Sequence, residues 1–369
     1  MTAILSPLGW LYGKFADARN ALYNRGFLHS HSLGVKTISI GNITTGGTGK
    51  TPLVALIAAH LAEKGEKVCV LTRGYGRTEP RSRVLVSDSK NVLAGAKVGG
   101  DEPVELARKL LGRAIVIADA DRVAAAEWAR QKFGITAFVL DDAFQHRMAW
   151  RDLDIVCIDA TNPFGSGLVL PAGRLREPMH NLSRAGVAVI TRANLAADIE
   201  SIRSRTRAVA PEAAVFVCWN RIEKVSLLES FLTEPSSLDQ ISMAPGGDLG
   251  WTGLRAVSEH GASVMAFCGL GNPESFFLQL SEAFNTEPMA DFELAVVKAF
   301  PDHHFYTQKD IVKLERQARA SGLRALITTA KDATKLAGLK VSMPCFVIEI
   351  EPVLADHDSF IALIEATVT

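Results

Sequence analysis

The sequence has no surplus of either charge, because 40 lysines and arginines balance 40 aspartates and glutamates in 369 residues. Proteins that coat nucleic acid need a basic surplus to pair with phosphates, so that class is excluded and no nucleic-acid partner is expected. Charged residues are few, at 22%, whereas hydrophobic residues reach 48%, which excludes a disordered chain. A chain of this length rarely forms a single core, so we expect two domains.

Cysteines and long apolar runs are also scarce. Five widely spaced cysteines form no C-x-x-C pair and lie mostly in apolar runs such as KVCVLT and DIVCID, a pattern typical of reduced core residues in a cytosolic protein. No stretch approaches the roughly 18 apolar residues of a spanning helix, and the N-terminus lacks the features of a signal peptide. We therefore expect a cytoplasmic protein that can still touch a membrane surface. The cysteines are Cys69, Cys157, Cys218, Cys268 and Cys345.

Residues 7–28 predict an amphipathic helix, because six apolar residues recur at helical spacing. The helix can cover the domain, or it can lie in a membrane interface with Trp10 and Tyr12 at headgroup depth and basic residues near anionic lipid. The residues alone favour the first alternative, since most apolar stripes belong to the core. The six apolar residues are Leu8, Leu11, Tyr12, Phe15, Ala18 and Leu22.

From residue 36 the chain alternates apolar β-branched runs with helical patterns. Apolar strands separated by helices are typical of a parallel sheet covered on both faces, so we predict a doubly wound, mostly parallel α/β domain over residues 1–220. Residues 221–260 are interpreted as a connector with an extended loop. A second, smaller α/β domain is expected within residues 221–369, closing over the active site, and its last helix can pack back on the first domain. Ligands are expected at the loops that follow the strands.

The segment SIGNITTGGTGKTP combines a strand, a glycine-rich loop and the start of a helix. Backbone N–H groups from Thr45 to Thr51 can surround a phosphate, Lys50 can supply a charge for the β/γ oxygens, and the Thr51 hydroxyl can bind Mg²⁺. An ordinary glycine-rich turn is the alternative, but Lys-Thr at the helix start favours phosphate binding and hence a P-loop NTPase-like fold. The predicted nucleotide loop is Thr44, Thr45, Gly46, Gly47, Thr48, Gly49, Lys50 and Thr51.

The segment ITAFVLDDAFQHR ends an apolar strand with Asp141 and Asp142 at the edge where ligands bind. A nucleotide site needs a carboxylate for its metal ion, and either aspartate can serve. His146 follows closely and can orient a carboxylate or contact the nucleotide. A turn and a surface histidine are the alternatives, but a P-loop in the same sheet favours function.

The segment VGGDEPVELARKL places Asp101 and Glu102 just before a helix. A helix cap with Pro103 in the first turn explains this pattern without any chemistry. A kinase that acts on a hydroxyl needs a carboxylate near the γ-phosphate to accept the proton, which explains the pattern equally well. The residues alone leave both alternatives open.

Two further polar loops hold candidate residues. FPDHHFYTQKD presents Asp302, His303 and His304, but adjacent histidines lack the spacing of a helical zinc site. A catalytic imidazole that reaches across the interdomain cleft is favoured, with a capped loop as the alternative. LPAGRLREP holds Arg174 and Arg176 between two prolines, a rigid arrangement that suits phosphate contact, with solvated surface arginines as the commoner alternative.

Eight segments, in their order along the chain, resemble the tetraacyldisaccharide 4'-kinase family, the lipid A 4'-kinases of Gram-negative bacteria. The resemblance covers about residues 5–335. It implies transfer of the γ-phosphate of ATP, with Mg²⁺, to the 4'-hydroxyl of the lipid tetraacyldisaccharide 1-phosphate at the cytoplasmic face of the inner membrane. The membrane-interface interpretation of residues 7–28 then becomes the leading one. The segments are GNITTGGTGKTP, TRGYGR, VGGDEP, DDAFQHR, LPAGRLREP, FCGLGNPESF, FPDHHFY and TTAKDATKL.

Carried over by motif, the resemblance implies that Asp101 is the base that takes the sugar hydroxyl proton and that His303 is its partner. Lys50 is implied at the β/γ oxygens. Tyr75 matches the R-G-Y-G motif but receives no role, and the segment 230–252 is longer than expected. The implied metal site comprises Thr51, Asp141 and Asp142, and the implied nucleotide site adds His146, Arg176 and Glu177 to the phosphate loop.

Two other functions stay open at this point. One is a P-loop ligase or synthetase of a small carboxylated metabolite, which would share the phosphate cradle but not the lipid. The other is a nucleotide-dependent switch ATPase, in which hydrolysis moves the two domains and controls a partner. The sequence gives no sign of an obligate protein partner.

Overall fold

The structure, a computed structural model, describes residues 2–233, 263–286 and 292–368. The strands of this described part are β1 Lys36–Asn42, β2 Val68–Thr72, β3 Val84–Ser87, β4 Ala114–Ala118, β5 Ala137–Asp141, β6 Leu153–Asp159, β7 Val187–Thr191, β8 Ala214–Leu227, β9 Ser263–Cys268, β10 Glu293–Ala299, β11 Leu326–Thr329 and β12 Cys345–Leu354. They form one sheet in the order β10-β9-β11-β12-β8-β7-β6-β1-β5-β2-β4-β3.

The α-helices of the described part are α1 Thr2–Asn24, α2 Lys50–Glu63, α3 Ala96–Gly99, α4 Asp101–Lys109, α5 Arg122–Phe133, α6 Ile199–Val209, α7 Leu228–Thr233, α8 Pro273–Phe284, α9 Gln308–Ala320, α10 Ala330–Ala333 and α11 His357–Val368. Several begin at side-chain caps that the sequence supplies. Asp121 accepts hydrogen bonds from two N–H groups at the start of α5, and Thr307 forms a capping box with Asp310 at the start of α9. These caps fix where the chain turns from loop to helix.

The doubly wound α/β fold is confirmed in the first unit, defined here as strands β1 to β7 and their helices. Neighbouring strands pair in parallel, apart from the antiparallel edge strand β3. Alternate residues of each central strand enter two different cores. Ile38 and Val139 pack with Leu53 of α2 on one face, whereas Phe138 packs with Ala125 of α5 on the other. Burial on both faces explains why these strands read as continuous apolar runs.

Strand β8 corrects the prediction of a connector over residues 221–260. The strand continues to Leu227, and α7 follows directly up to Thr233. The segment contains several charged residues and therefore resembles a loop in sequence, but its backbone pairs along its length with β12. The rest of the expected connector, with most of the long segment 230–252, lies outside the described residues.

The second unit, defined as β9 to β12 with their helices, runs its strands in the opposite direction to those of the first. Strand β8 is parallel to β7 but antiparallel to β12. Near the end of β7, Ile190 pairs with Val217 of β8. At the end of β11, the last residue pairs with Ile348 of β12, which in turn pairs with Val225 of β8. The carboxyl ends of the two sets of parallel strands therefore face each other across the middle of β8.

The last helix packs against the first unit. Phe360 and Ile364 of α11 are fully buried in the same core as Leu53 and Ile57 of α2, and the Phe360 ring meets Phe216 edge to face. The sheet is continuous through β8, so the division into domains at residues 1–220 and 221–369 stays a prediction about independent folding.

Helix α1 turns its apolar side chains outward and its small and polar residues inward. Gly9 lies against the loop after β6, where an added Cβ would be 2.8 Å from the Val169 carbonyl oxygen, and Ala16 and Asn20 are buried. The apolar stripe therefore does not cover the domain. No helix in the described ranges is both long and apolar enough to cross a membrane. The stripe residues exposed by 42% or more are Leu8, Leu11, Tyr12, Phe15 and Leu22, beside Trp10.

Replacing Phe360 by alanine tests the attachment of α11. The substitution removes a fully buried aromatic ring, so we expect the free energy of unfolding to fall by about 3–5 kcal/mol in a denaturant titration. Val312→Ala on α9, where the side chain is 55% exposed, is the control and should change it by less than about 0.5 kcal/mol. Equal effects would mean that α11 does not share the core of α2.

Candidate active site

The phosphate loop between β1 and α2 depends on two glycines. Gly46 and Gly49 have φ angles of 102° and 73°, in the left-handed region that favours glycine. The Thr45 N–H already donates to the Arg174 carbonyl oxygen at 2.7 Å, and Thr44 is only 4% exposed. The N–H groups available to a phosphate therefore begin at Gly46. The sequence predicted that they begin at Thr45, and it predicted a nucleotide loop that begins at Thr44.

Asp142 contacts two basic side chains beside this loop. The Lys50 Nζ lies 3.4 Å from its Oδ1, and the Arg176 guanidinium donates to both carboxylate oxygens at 2.9 and 3.0 Å. Burial alone would raise the pKa of Asp142, but the charges of Lys50 and Arg176 outweigh it and hold the pKa well below its usual range. The structure thus brings together a loop lysine, an arginine and an ionised carboxylate at the start of α2.

Asp141 ends β5 next to Ile40 of β1 and is 1% exposed. Its Oδ2 accepts a hydrogen bond from the Thr72 hydroxyl at 3.1 Å, whereas its Oδ1 is buried without a hydrogen-bond partner in the structure. Burial and then the nearby charge of Glu102 raise the pKa of Asp141 to about 7. An unpartnered oxygen in this position fits a hard cation such as Mg²⁺.

No group of three or more acidic, histidine or cysteine side chains in the described ranges is arranged to bind a metal ion. Mg²⁺ keeps several waters and usually takes one or two protein carboxylates together with nucleotide phosphates. The unpartnered Asp141 oxygen therefore fits a magnesium ion that binds together with a nucleotide.

Asp101 and His303 meet across the two units. Asp101 begins α4 of the first unit and is 3% exposed, whereas His303 follows β10 of the second unit. The His303 Nδ1 lies 3.0 Å from both carboxylate oxygens. Burial opposes the charged imidazole, but the hydrogen bond with Asp101 outweighs it and raises the pKa of His303 above its usual value.

The structure also separates His303 from its neighbour. His304 stacks on Phe300 with ring centroids 4.7 Å apart, and its Nε2 lies 3.3 Å from the Asp310 carboxylate at the start of α9. It stabilises the loop. His303 has a φ of 57°, and its ring lies 5.0 Å from that of Tyr75, which is 66% exposed. Tyr75 therefore covers the outer side of the imidazole.

Sequence reasoning missed two lysines that surround Asp101. The Lys331 Nζ lies 2.9 Å from the Glu102 carboxylate and 3.9 Å from that of Asp101, and the Lys335 Nζ lies 3.5 Å from Asp101. The segment TTAKDATKL was among the family motifs but suggested no role. Its lysines are four residues apart on and after a short helix, a spacing that places both side chains on one side.

A second missed contact joins the phosphate loop to the second unit. The Asn272 side-chain amide donates to Asp159 at 3.1 Å, and Arg192 donates both to that carboxylate and to the Gly47 carbonyl oxygen, the latter at 2.7 Å. A Cβ added to Gly271 would lie 2.9 Å from the Gly47 nitrogen, so only glycine permits this approach. The loop after β9 thus lies directly against the phosphate loop.

Glu177 lies in a buried hydrogen-bonding network beneath α1. It is 0% exposed, and its oxygens accept hydrogen bonds from Arg184, Gln145 and Asn20, each at 2.9 Å. Its carboxylate therefore ties α1 to the loops beneath it. These partners favour a structural role, and the nucleotide contact expected from the motif stays a prediction.

His146 is held within its own loop, where its backbone N–H donates to the Ala143 carbonyl oxygen and its own carbonyl oxygen accepts from Arg151. Its Nε2 is buried without a hydrogen-bond partner in the structure. Burial, and then the positive charges of Arg122 and Arg151, lower the pKa of His146 to about 4. The imidazole is therefore neutral at physiological pH, and its role toward the nucleotide stays a prediction.

The fold and the site define a P-loop phosphotransferase in which a second α/β unit brings an imidazole to a carboxylate beside the phosphate loop. Comparison with known proteins narrows this class. Residues 1–369 match the family described as Tetraacyldisaccharide-1-P 4'-kinase. The chain belongs to this family.

Named relatives and a solved structure agree with this membership. The tetraacyldisaccharide 4'-kinase of Anaeromyxobacter sp. (strain Fw109-5) is 40% identical over 92% of this chain and 85% of its own length. That of Geobacter metallireducens is 36% identical over 90% and 88%. A crystal structure of LpxK from Aquifex aeolicus in complex with ATP is 27% identical, covers 100% of this chain and 99% of its own, and has a TM-score of 0.71.

Glu177→Ala distinguishes a structural role from a nucleotide contact. The change leaves the Arg184 charge unpaired, so we expect a loss of about 3 kcal/mol in the free energy of unfolding, at the low end of such losses because Arg184 is 13% exposed. ATP affinity of the folded protein should stay within about threefold. Arg176→Ala, the matched control one residue away, should do the reverse; an ATP-specific loss in Glu177→Ala would confirm the motif-based prediction.

Proposed function

We propose that this kinase transfers the γ-phosphate of ATP to the 4'-hydroxyl of tetraacyldisaccharide 1-phosphate. The Asp101–His303 contact supports the proposal, because an imidazole bonded to a buried carboxylate can accept a hydroxyl proton. The loop that carries His303 also approaches the phosphate loop, since Asp302 lies close to Gly271 and Gly271 lies close to Gly47. A ligase or a switch ATPase does not need a base positioned for a substrate hydroxyl. The names of the relatives support the same acceptor.

The phosphate-binding step uses the loop and its neighbouring cations. The N–H groups from Gly46 onward and the start of α2 bind the phosphates, and Lys50 moves from Asp142 to the β/γ oxygens. Arg176 stays on Asp142 and is positioned beside the same oxygens. Thr51, Asp141 and Asp142 would hold Mg²⁺, which would supply positive charge for the phosphates when bound.

Asp101 and His303 act together in the proton-transfer step. The sugar oxygen attacks the γ-phosphorus, the bond to the β-phosphate oxygen breaks, and ADP leaves with that electron pair. The hydroxyl proton goes to His303 Nε2, because Asp101 is 3% exposed and its oxygens face His303 and the two lysines. Asp101 holds Nδ1 protonated and stabilises the imidazolium. This differs from the sequence expectation that Asp101 itself meets the hydroxyl.

The outward apolar stripe of α1 supports a membrane-surface role. Its side chains face away from the protein, and the Lys14 ammonium lies over the Trp10 ring at 5.8 Å. An amphipathic helix of this kind lies in the headgroup region and brings the protein to a bilayer-resident acceptor. The cytoplasmic face of the bacterial inner membrane is the matching location for a lipid A precursor and ATP.

Phosphate transfer tests the function and two residues together. Wild-type protein with γ-labelled Mg·ATP and tetraacyldisaccharide 1-phosphate in detergent micelles should give label at the 4' position. Asp101→Ala should lower kcat by about 10²–10⁴-fold with ATP affinity little changed, whereas Lys50→Ala should reduce both. Asp358→Ala, an exposed carboxylate at the start of α11, is the control and should behave as wild type. ATP turnover that ignores the lipid but responds to a protein would favour the switch instead.

Vesicle flotation tests the α1 stripe. The double variant Leu11→Glu and Phe15→Glu alters side chains that are 60% and 70% exposed, so folding should be unaffected while binding to anionic vesicles falls about tenfold or more. The same charge change at Leu278 and Val312, exposed apolar residues of α8 and α9, should leave flotation unchanged. Undiminished flotation of the α1 variant would exclude the stripe as the membrane contact.

A further inference from the structure

Three basic side chains of the second unit surround the Asp101 carboxylate. His303 lies at 3.0 Å, the Lys335 Nζ at 3.5 Å and the Lys331 Nζ at 3.9 Å from its Oδ2. The side chain of Lys335 is 0% exposed and that of Lys331 is 10% exposed. Burying two lysines beside one carboxylate costs desolvation free energy, which favours a functional reason for their position.

Lys335 forms a buried ion pair with Asp332. The Asp332 carboxylate is 0% exposed and lies 2.9 Å from the Lys335 Nζ. The same carboxylate accepts hydrogen bonds from the Gly269 N–H, at 3.1 Å to each oxygen, and from the Tyr306 hydroxyl at 3.0 Å. The second lysine, Lys331, spans to Glu102 and Asp302 instead. Both ammonium groups are therefore held by the framework that carries His303.

We propose that Lys331 and Lys335 are positioning residues that dock the second unit on α4 and keep the Asp101 carboxylate ionised against His303. Neither lysine needs to touch the substrate for this role. The proposal rests on the proposed function, since it concerns the proton acceptor of that reaction.

The charges around Asp101 explain why two lysines are needed. Four other carboxylates lie around Asp101, which is itself 3% exposed. Both burial and like charge favour the protonated form of a carboxyl. The facing groups are Glu102 and Glu105 on α4 itself, Asp302 and His303 after β10, and Lys331, Asp332 and Lys335 on and after α10, with Lys50 of α2 acting on Glu102.

The balance favours ionised Asp101. Burial would raise the pKa of Asp101, but the hydrogen bond with His303 and the charges of Lys331 and Lys335 outweigh it and hold the pKa far below its usual range. An Asp101 that took up a proton would no longer accept the hydrogen bond from His303 Nδ1 or stabilise an imidazolium. Removing a lysine therefore makes protonation of the Asp101–His303 pair easier, so the pair becomes inactive at a higher pH than in the wild type.

The pH profile of kcat tests the direction of this shift. In Lys335→Met, the acid limb of the profile for transfer to tetraacyldisaccharide 1-phosphate should move up by about one pH unit. The rate at pH 6.5 should then fall about tenfold and recover to within about threefold of wild type near pH 9, with the KM for ATP little changed. Lys331→Met should shift the limb in the same direction, and Lys331→Arg should restore it. Lys313→Met, an exposed lysine on α9, is the control and should leave the profile unchanged.

A double-mutant cycle separates positioning from structural support. On an Asp101→Asn background, Lys335→Met should cost little further activity, because the group it acts through is already neutral. Losses that multiply, or a rate lowered equally at every pH, would overturn the proposal. Lys331→Met and Lys331→Arg decide the matter if Lys335→Met does not fold. Wild type without transfer would refute the proposed function, whereas an active wild type with unmoved acid limbs would refute only this inference.

Discussion

The hydrogen bonding of strand β8 to both of its neighbours is the constraint on which the site depends. Its 14 residues pair in parallel with β7 at one end and antiparallel with β12 along the rest. In an ordinary doubly wound sheet the strands end at one edge, and the ligand site is open to solvent on that side. Here the second set of strands ends facing the first, because β8 is long enough to offset them. The phosphate loop after β1 and the histidine loop after β10 therefore meet in the space between.

Charge and small size then hold the two facing edges together. Gly271 lets the loop after β9 reach Gly47 of the phosphate loop, and Asn272 binds Asp159 on the same side. On the other side Lys331 reaches Glu102 of α4. The apolar packing of α11 on α2 adds a non-polar attachment away from the site. The two units are therefore joined by polar contacts at the site and by apolar packing outside it.

Local patterns predicted the parts of the fold that local physics determines. Apolar β-branched runs from residue 36 onward predicted the parallel sheet of the first unit, and the glycine-rich loop before Lys50 predicted the phosphate loop. Strand β8 was missed beyond residue 220, because its charged segment is extended only through pairing with β12. The hydrogen bonds of Glu177 to Asn20 and Gln145 were not predicted, because a motif carries no side-chain direction. Lys331 and Lys335 were missed since their effect on Asp101 exists only once two distant segments meet.

The same reasoning gives helix α1 a meaning beyond its outward stripe. Asn20 donates to Glu177, and Gln145 donates to the other Glu177 oxygen. Gln145 in turn accepts from Arg176, which binds Asp142 beside the phosphate loop. These contacts are mostly shielded from solvent, and they run without a break from α1 to the side chains beside the phosphate loop. Helix α1 is therefore joined to the phosphate loop by side-chain hydrogen bonds rather than by a flexible tether.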